Sequence, residues 1–454
     1  MSYDYDFAGE FTPVGSEDNY WLDDEHLSCA FHQEVPRRMA DLLEVAMSVY
    51  AADRLSPRSY KGMNTGHGQI NMRVGVHDPD FWARPEMTGL LSQFLYWVSE
   101  DEWAFEFVRR QAPTAVESQG FLFPIPPEDS VTVSLFSGGL DSLAGLAKRS
   151  RENAVASHVL VSGYTHNRLV GQQRRQAKMI TSAWRRHQAL GQRPELRHIA
   201  VPFGLKKYRP VGRDEPTQRT RALVFLSLGA VAAAQARSDT LWVYENGTGA
   251  FNLPLNASQP GVDNYRGIHP RSLIMAERLF ELALEKEIRI FNPYLFDTKA
   301  EMYRSLVISG LVEVVRETVS CDNYPVRVQD KTQCGHCTSC VLRRQPIRCG
   351  GLMGYDAPED YLYDVLDNAT DIDRDKLHGL EVMRGQVYEL ERCLSHDDPW
   401  LALASSFPEL ERTCLELAGH RKDDANRIRD RILGLYRTYV REWKSLPNIL
   451  RRAA

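Results

Sequence analysis

The most chemically suggestive stretch of this 454-residue sequence is Ser-Gly-Gly-Leu-Asp-Ser, at positions 137–142 directly after an apolar stretch. Gly138 and Gly139 allow the backbone to turn sharply and to approach a ligand without a Cβ atom in the way. A helix that begins near Ser142 would present free amide groups and the positive end of its dipole. The combination predicts an anion-binding cradle. A plain helix-capping turn, with Asp141 or Ser142 as the cap, is the simpler alternative.

This loop differs from a Walker phosphate loop. A Walker loop carries Gly-Lys followed by Ser or Thr, and it handles the terminal phosphates of a nucleotide. No lysine directly follows the glycines here, and Lys148 lies too far along the predicted helix. The sequence therefore indicates a phosphate loop of another kind.

A second chemical feature is a cluster of four of the eight cysteines, separated by twelve, two and two residues. The four are Cys321, Cys334, Cys337 and Cys340. Four thiolates at this spacing are typical of a closed tetrahedral zinc site, which is structural because no coordination position remains for a substrate. His336 and Cys349 lie near enough to serve as alternative ligands, and unpaired buried thiols are the other interpretation.

The elements that position these residues alternate in type from Val131 onward. Near-continuous apolar stretches predict buried strands, and helical stretches such as residues 219–236 lie between them. The predicted strands cover residues 131–136, 157–164, 196–203, 240–247 and 288–295. The pattern predicts an α/β fold, with a parallel sheet covered by helices on both faces and ligands bound at the carboxyl ends of the strands.

We predict three domains along the chain. An α+β accessory domain over residues 1–127 contains strand-like stretches at 68–76 and 102–110, and a proline-rich linker over 124–130 ends it. The catalytic core, a Rossmann-like sheet with the zinc knuckle, covers residues 128–352. A helical region follows over residues 353–454.

Composition and charge narrow the class of protein. The formal net charge of −5 predicts no large basic surface for duplex nucleic acid. The sequence contains no apolar run long enough to span a bilayer and begins without the basic and apolar segments of a signal peptide. We therefore expect a cytoplasmic enzyme without a membrane partner, and a homodimer is left open.

Taken together, the motifs resemble a known family. The 137–142 loop resembles the PP-loop of the N-type ATP pyrophosphatases. The order of later motifs resembles the QueC, or 7-cyano-7-deazaguanine synthase, family within that group. Those motifs are Arg-Thr-Arg-Ala-Leu-Val-Phe at 219–225, Asn-Pro-Tyr-Leu-Phe-Asp-Thr-Lys-Ala-Glu-Met at 292–302, and the cysteine knuckle. The resemblance covers about residues 131–344, roughly half of the chain.

The resemblance implies a reaction and a set of site residues. The carboxylate of 7-carboxy-7-deazaguanine would be adenylated by ATP with release of pyrophosphate, and Mg²⁺ would bridge the phosphates. Asp141 and the cations Lys299 and Arg221 would be catalytic, since a cation offsets the charge that builds during transfer. A plain surface lysine is the alternative for Lys299. The residues implied to bind ATP are Ser137, Gly138, Gly139, Leu140, Asp141 and Ser142.

The deazaguanine ring also needs a binding site, and the end of the fourth core strand offers one. A carboxylate at Glu245, beside Asn246, could accept hydrogen bonds from the ring N1–H and the exocyclic amine. Tyr164 and Phe251 could stack on the faces of the ring. The alternative is a strand-end turn surrounded by core aromatic residues.

Two departures from the QueC pattern bear on which molecule accepts the activated acid from the adenylate. The chain has long extensions on both sides of the core, and residues 245–252 and 267–272 differ from the usual QueC sequence. Both features resemble the QueC-like proteins of antiphage systems, of the QatC type or of type IV CBASS. Such a protein would transfer the activated acid to the N-terminal glycine of a partner protein. The alternatives are nitrile synthesis with ammonia and a catalytically inactive scaffold.

Overall fold

The structure is a computed structural model of the chain. It describes residues 2–7, 20–56, 68–110, 131–152, 157–187, 196–205, 219–255, 265–322, 324, 332–367 and 372–446. The predicted linker over 124–130 lies outside these residues. None of the helices described is long and apolar enough to cross a membrane.

The N-terminal region combines a small sheet with helices. Its elements are β1 (Ser2–Phe7), β2 (Tyr20–Leu22), α1 (Glu25–Phe31), α2 (Arg37–Leu55), β3 (Gln69–Val76), α3 (Pro79–Trp82), α4 (Pro85–Ser99) and β4 (Glu102–Arg109). Strands β1, β3 and β4 form a parallel sheet in that order. Strand β2 does not belong to this sheet and instead forms the edge of the larger, central sheet.

The central region is built around a second sheet. Its elements are β5 (Val131–Leu135), α5 (Leu140–Glu152), β6 (Ser157–Tyr164), α6 (Asn167–His187), β7 (Leu196–Leu205), α7 (Arg221–Gln235), β8 (Thr240–Trp242), α8 (Gly247–Phe251), α9 (Pro270–Leu284), β9 (Arg289–Phe291), α10 (Lys299–Ile308) and a 3-10 helix at Val312–Glu317. The strand order is β2-β7-β6-β5-β8-β9. Strands β5 to β9 are parallel, and β2 is antiparallel to β7. The predicted parallel sheet is confirmed.

Alternation along the strands explains why both faces of the sheet are covered. Val159 and Val161 belong to one apolar cluster, whereas Leu160 between them belongs to a second cluster. Successive strand residues point to opposite faces, so the two clusters lie on opposite sides. Helices α7 and α9 contribute to the first cluster, and α5 and α10 contribute to the second. Burial on both faces requires the near-continuous apolar strands seen in the sequence.

The N-terminal region and the central sheet share one apolar cluster. Leu42 of α2 and Leu226 of α7 both belong to it and are 1% and 0% exposed. At the start of α7, Asp53 accepts hydrogen bonds from the amide and the hydroxyl group of Thr220 at 3.3 and 2.9 Å. Because β2 and α2 are integral to the central layer, the core continues across the boundary predicted at residue 127.

The C-terminal region is helical, as predicted. Its elements are α11 (Thr338–Cys349), 3-10 helices at Met353–Tyr355 and Pro358–Asp360, α12 (Arg374–Leu394), α13 (Pro399–Ser406), α14 (Glu409–Arg421) and α15 (Ala425–Lys444). These helices have an apolar cluster of their own, which also includes Phe251 and Leu295 from the central region. The helical region therefore packs directly against the segments that follow β8 and β9.

Candidate active site and cysteine cluster

The candidate site lies at the carboxyl ends of β5 and β8, where the direction of strand succession reverses. The order runs from β5 through β6 to β7 on one side, and from β8 to β9 on the other. Parallel sheets form a ligand-binding crevice at such a point. The segments after these two strands carry Asp141 and Asn246, and Asn246 Nδ2 donates a hydrogen bond to Asp141 Oδ2 at 3.1 Å.

Helix α6 holds the glycine loop in its turn. Gly138 has φ +79°, and a Cβ atom there would lie 3.0 Å from Cγ of Gln173. Gln172 and Gln176 donate from Nε2 to the carbonyl oxygen of Gly138 at 3.2 and 2.8 Å, and Gln173 donates to that of Ser137 at 3.1 Å. Glycine adopts this φ without strain, so the loop is shaped before any ligand arrives.

The other loop residues direct their polar groups toward one another. The Gly139 amide donates to Ser137 Oγ at 3.1 Å, and Ser142 Oγ donates to the Gly139 carbonyl oxygen at 2.9 Å. The side chain of Leu140 is only 1% exposed, so this residue could offer a phosphate only its backbone. Helix α5 begins at Leu140, two residues before the predicted start, and Asp141 therefore lies inside the helix rather than at its cap.

Asp141 is the centre of a network of buried polar groups. Its Oδ1 accepts a hydrogen bond from the Tyr303 hydroxyl at 2.7 Å. Its Oδ2 lies 3.1 Å from Lys299 Nζ, and these two side chains are 15% and 21% exposed. Predicted site residues that are far apart in sequence are thus brought into direct contact.

The charges of this network are set by burial and by neighbouring groups. Burial disfavours the charged form of Asp141, but the charge of Lys299 and hydrogen bonds from Glu245 and Tyr303 hold its pKa below the usual value. Burial and repulsion by Asp141 raise the pKa of Glu245 well above its usual value. Burial favours a neutral Lys299, yet the two carboxyl groups raise its pKa overall. Lys299 and Tyr303 therefore favour the charged form of Asp141, and the charge of Asp141 in turn favours the neutral form of Glu245.

The first turn of α10 positions Lys299. Thr298 caps the helix: its Oγ1 accepts from the Glu301 amide at 3.2 Å, and the Glu301 side chain accepts from the Thr298 amide at 2.8 Å. This capping box satisfies two amides that the helix itself leaves unpaired. The Thr298 hydroxyl also donates to Glu442 Oε1 on α15 at 2.7 Å. The C-terminal helix therefore supports the residue directly before Lys299.

Glu245 and Asn246 lie in the loop between β8 and α8, because β8 ends at Trp242 and is shorter than the predicted strand over 240–247. The predicted strand over 288–295 is also shorter, since β9 covers only Arg289–Phe291. The Asn292 side chain donates to the Glu245 carbonyl oxygen at 2.8 Å and ends the regular ladder. Asn246 then caps α8, with its Oδ1 accepting from the Gly249 amide at 2.9 Å. Its Nδ2 donates to Glu245 Oε1 at 2.5 Å. Both ends of the Asn246 side chain are therefore engaged within the chain, and its role in substrate binding stays a prediction.

The two predicted stacking residues lie in different environments. Tyr164 is partly buried at the carboxyl end of β6, on the correct edge of the sheet. Phe251 is 3% exposed and packs against His269 and Phe296, with ring centroids 6.4 and 6.3 Å away. Phe251 contributes to the apolar cluster of the C-terminal helices, and stacking on a substrate stays a prediction for both residues.

Arg221 is the first residue of α7, and its guanidinium lies 5.4 Å from the centre of the Phe225 ring. Within the described parts of the chain, the ion pair of Asp141 is formed by Lys299 and not by Arg221. The catalytic role of Arg221 therefore stays a prediction.

Several site residues escaped the sequence analysis. Tyr303 lies four positions after Lys299, a spacing that places both side chains on one face of a helix, so the 292–302 motif could have pointed to it. Asn292 is the first residue of the same motif, whereas the glutamines of α6 carry no comparable signal. Their contacts depend on which elements meet in the fold.

The four cysteines converge on one point. Their sulfur atoms lie within 4.8 Å of one another, and a tetrahedral ion with Zn–S bonds of about 2.3 Å places sulfurs about 3.8 Å apart. The amides of Cys334, Cys337 and Cys340 donate to the sulfur atoms of Cys321, Cys334 and Cys337, at 3.3, 3.4 and 3.4 Å. Such amide donors stabilise thiolates, and the four residues fit Zn²⁺.

The alternative ligands lie away from this point. Cys349 is at the other end of α11, where its sulfur donates to the Glu442 carbonyl oxygen at 3.4 Å. The His336 ring packs edge-on against Tyr363, with centroids 5.5 Å apart. Gly335 has φ +81°, and a Cβ atom there would lie 1.9 Å from the Tyr363 carbonyl oxygen. The knuckle is therefore formed by the four predicted cysteines and is packed against the segment that precedes α12.

Comparisons with known proteins find similarity over the part of the chain that contributes Glu245, Lys299 and the four cysteines. Residues 219–349 match the family described as Queuosine biosynthesis protein QueC. Two 7-cyano-7-deazaguanine synthases, from two strains of Bacteroides fragilis, are each 30% identical to this chain over 129 residues. This alignment covers 28% of the chain and 51% of each relative, so the chain spans about half the length of the curated relatives it matches.

The segment that matches the family contributes only some of the site residues. It includes Glu245, Lys299 and the cysteine cluster, whereas the glycine loop and the helices after α11 lie outside it. The geometry links the glycine loop to the matched segment through Asp141, which contacts Lys299 and Asn246. Over the segment that carries the lysine and the cysteine knuckle, the chain is therefore similar to QueC proteins.

Proposed function

We propose that this protein activates the carboxylate of a 7-deazaguanine acid, such as 7-carboxy-7-deazaguanine, by adenylation. A carboxylate oxygen attacks the α-phosphorus of ATP, the bond to the β-phosphate oxygen breaks, and pyrophosphate leaves with the electron pair. An amine then attacks the acyl carbon and AMP leaves, which yields an amide. QueC proteins are ATP-using enzymes, and the match to that family supports this class of reaction.

One observation carries the proposal: the Lys299 ammonium lies 3.1 Å from Asp141, beside the glycine loop at the carboxyl end of β5. The first amides of α5 have no acceptor within the helix and favour an anion. Lys299 provides the cation that the loop itself lacks, because the charge on the α-phosphate grows during transfer. Asp141 and Tyr303 orient the ammonium group.

Mg²⁺ is a further part of the proposal. This ion prefers six oxygen ligands and usually retains water, and when bound it would offset phosphate charge. Asp141 and Glu245 are the carboxyl groups of this network. Asp141 Oδ2 already contacts both Asn246 and Lys299. Asp141 would therefore supply only Oδ1, which accepts from Tyr303, and phosphate and water would supply most of the other ligands.

Glu245 would recognise the deazaguanine ring through hydrogen bonds. Burial and the charge of Asp141 raise the pKa of this carboxyl group, so the carboxylate form that accepts from the ring N1–H and the exocyclic amine requires loss of a proton. Lys299 favours this loss through its positive charge. Tyr164 at the end of β6 and Phe251 after β8 are the proposed stacking partners.

The candidate functions differ in the amine that accepts the activated acid. We propose transfer to the N-terminal glycine of a partner protein in an antiphage system. The motive is the extent of chain outside the QueC match, where α2 and α15 both contact the core. Synthesis of the nitrile with ammonia is the second candidate, favoured by the names of the two relatives. The intact network around Asp141 argues against an inactive scaffold. A cytoplasmic location and a homodimer stay predictions.

The adenylation step can be tested by pyrophosphate–ATP exchange in the presence of 7-carboxy-7-deazaguanine. We expect Lys299→Met and Asp141→Asn each to slow exchange about a hundred- to thousandfold, the usual effect of removing one group that stabilises the transition state. Lys178→Met, on the exposed face of α6, is the matched control and should retain the wild-type rate. Release of ADP and phosphate by the wild-type protein, or full exchange by Lys299→Met, would refute the proposal.

A further inference from the structure

A groove runs between the edge strand of the central sheet and two helices. Strand β9 is the last strand in the order of the sheet, and α9 and α14 supply the other walls of the groove. Residues 219–349 match the QueC family, so α9 and β9 lie inside the match and α14 lies beyond it. The groove is therefore formed where the C-terminal extension packs beside the matched core.

Three cations line this groove without an ion pair. They are Arg278, Arg421 and Lys422, and none of the three is ion-paired within the described parts of the chain. Arg278 and Lys422 are exposed, whereas Arg421 is half-buried, with its guanidinium 5.6 Å from the centre of the Phe296 ring. Arg431 lies 3.8 Å from the centre of the same ring. Burial and the charge of Arg431 lower the pKa of Arg421, although two carboxyl groups oppose the shift, so a further negative charge beside Arg421 would be favourable.

The carboxylates of the groove do not supply this charge. Glu277 Oε2 lies 2.9 Å from His420 Nε2, and Glu287 Oε1 lies 3.1 Å from Arg289 Nε. Glu281 is the third lining carboxylate, and it forms no ion pair among the described residues. Three unpaired cations against one unpaired carboxylate give the groove an excess of positive charge, in a chain whose formal net charge is −5.

The same groove has an apolar side. Phe291 of β9 is 41% exposed, and Leu295 and Leu417 also line the groove. The backbone edge of β9 is closed at its centre, because Glu277 Oε1 accepts from the Ile290 amide at 2.6 Å. An added strand could not use that amide. An occupant would therefore be held by its side chains, as an amphipathic segment is held in a groove.

The mixed charges of the groove favour a polypeptide over a nucleic acid. A phosphate backbone is negative along its whole length, and it would meet the exposed carboxylates of Glu281 and Glu287. A protein segment can instead place acidic residues beside the cations and apolar residues on Phe291.

We propose that this groove is the docking site of the acceptor protein, through a segment that carries acidic and apolar side chains. The inference rests on the proposed function. The groove adjoins the candidate site, because Asn292 lines it and the side chain of this residue donates to the carbonyl oxygen of Glu245 at 2.8 Å. Docking here holds the partner next to the loop that carries Glu245, and the C-terminal extension contributes Arg421 and Lys422 to the contact.

Binding of defined peptides tests the assignment without ATP or the deazaguanine acid. The probes are a fluorescent peptide of leucine and glutamate that begins with glycine, and the same peptide with lysine in place of glutamate. We expect the wild-type protein to bind the acidic peptide at least tenfold more tightly than the basic one. The double variant Arg421→Glu, Lys422→Glu should lose this preference, because each reversal turns an attraction into a repulsion. The double variant Arg374→Glu, Arg437→Glu, at exposed positions outside the groove, changes the net charge equally and should keep it.

A second variant tests the apolar contact. Phe291→Ser should weaken binding of the acidic leucine peptide, and it should leave unchanged the binding of a peptide with serine in place of leucine. Leu415→Ser, at a position 52% exposed on α14 and outside the groove, is the control and should bind like the wild-type protein. If Phe291→Ser fails to fold, the charge reversal decides.

The remaining outcomes separate this inference from the proposed function. Equal affinity of the wild-type protein for the acidic and basic peptides, or an unchanged preference in the groove variant, would overturn the inference alone. Tighter binding of oligouridylate than of the acidic peptide, lost in the groove variant, would assign the groove to RNA and overturn it as well. Amide formation on the glycine terminus should follow the order of binding, and transfer that ignores this order would overturn the acceptor role. Absence of pyrophosphate–ATP exchange in the wild-type protein would overturn the proposed function, whereas peptide binding would still decide whether the groove is a docking site.

Discussion

Replacement of Glu442 by glutamine should stabilise the protein at high pH and not at low pH. Glu442 is 7% exposed on α15, and its Oε2 has no hydrogen-bond partner among the described residues. Burial raises the pKa of this carboxyl group from the usual 4.5 to about 7, although the hydrogen bond from Thr298 opposes the rise. Glutamine keeps an oxygen that can accept from Thr298 but has no charge.

The size of the effect follows from the difference between the folded and unfolded states. Below pH 4.5 the carboxyl group is neutral in both states, so its burial has no ionic cost. As the pH rises toward 7 the unfolded state ionises first, and the stability of the folded state is progressively lost. The interval between 4.5 and about 7, at about 1.4 kcal/mol for each pH unit, gives about 3 kcal/mol at pH 8.

Thermal unfolding at pH 5 and pH 8 measures this effect. We expect the melting temperature of Glu442→Gln to exceed that of the wild-type protein by several degrees at pH 8, with little difference at pH 5. Glu381→Gln, which changes an exposed carboxyl group of α12, should show no such pH-dependent difference. Equal or lower stability of Glu442→Gln at pH 8 would refute the reasoning, because ionised Glu442 would then be stabilised by partners.

Two further predictions concern the cysteine cluster and the glycine loop. The purified protein should contain one zinc ion per chain, and Cys337→Ser should lose it and become poorly soluble, because metal-binding energy is folding energy. Elemental analysis that finds no zinc, with all four thiols freely titratable, would contradict this. Gly138→Ala should slow pyrophosphate–ATP exchange at least tenfold while the fold survives, since φ +79° and the contact with Gln173 disfavour any Cβ atom. Gly434→Ala, in an open position on α15, is the matched control, and equal loss in both variants would argue against a role for the loop.

The sequence determined the features that depend on neighbouring residues. The strand and helix pattern of the central region follows from hydrophobic periodicity, which reports local geometry directly. The cysteine cluster could be predicted because three of its ligands lie within seven consecutive residues, 334–340. The turn at Gly138 could likewise be predicted, because only glycine adopts a positive φ freely.

The tertiary structure decided which distant residues meet. Tyr303 reaches Asp141 across 162 positions, and Lys299 reaches it because α5 and α10 pack side by side on one face of the sheet. A parallel sheet gathers the carboxyl ends of strands that are far apart in sequence, and spacing along the chain does not record that arrangement. The same reason explains why β2 could not be assigned to the central sheet from its three residues alone. Glu442 also reaches the site through packing of α15, so the contribution of the C-terminal region became visible only in the fold.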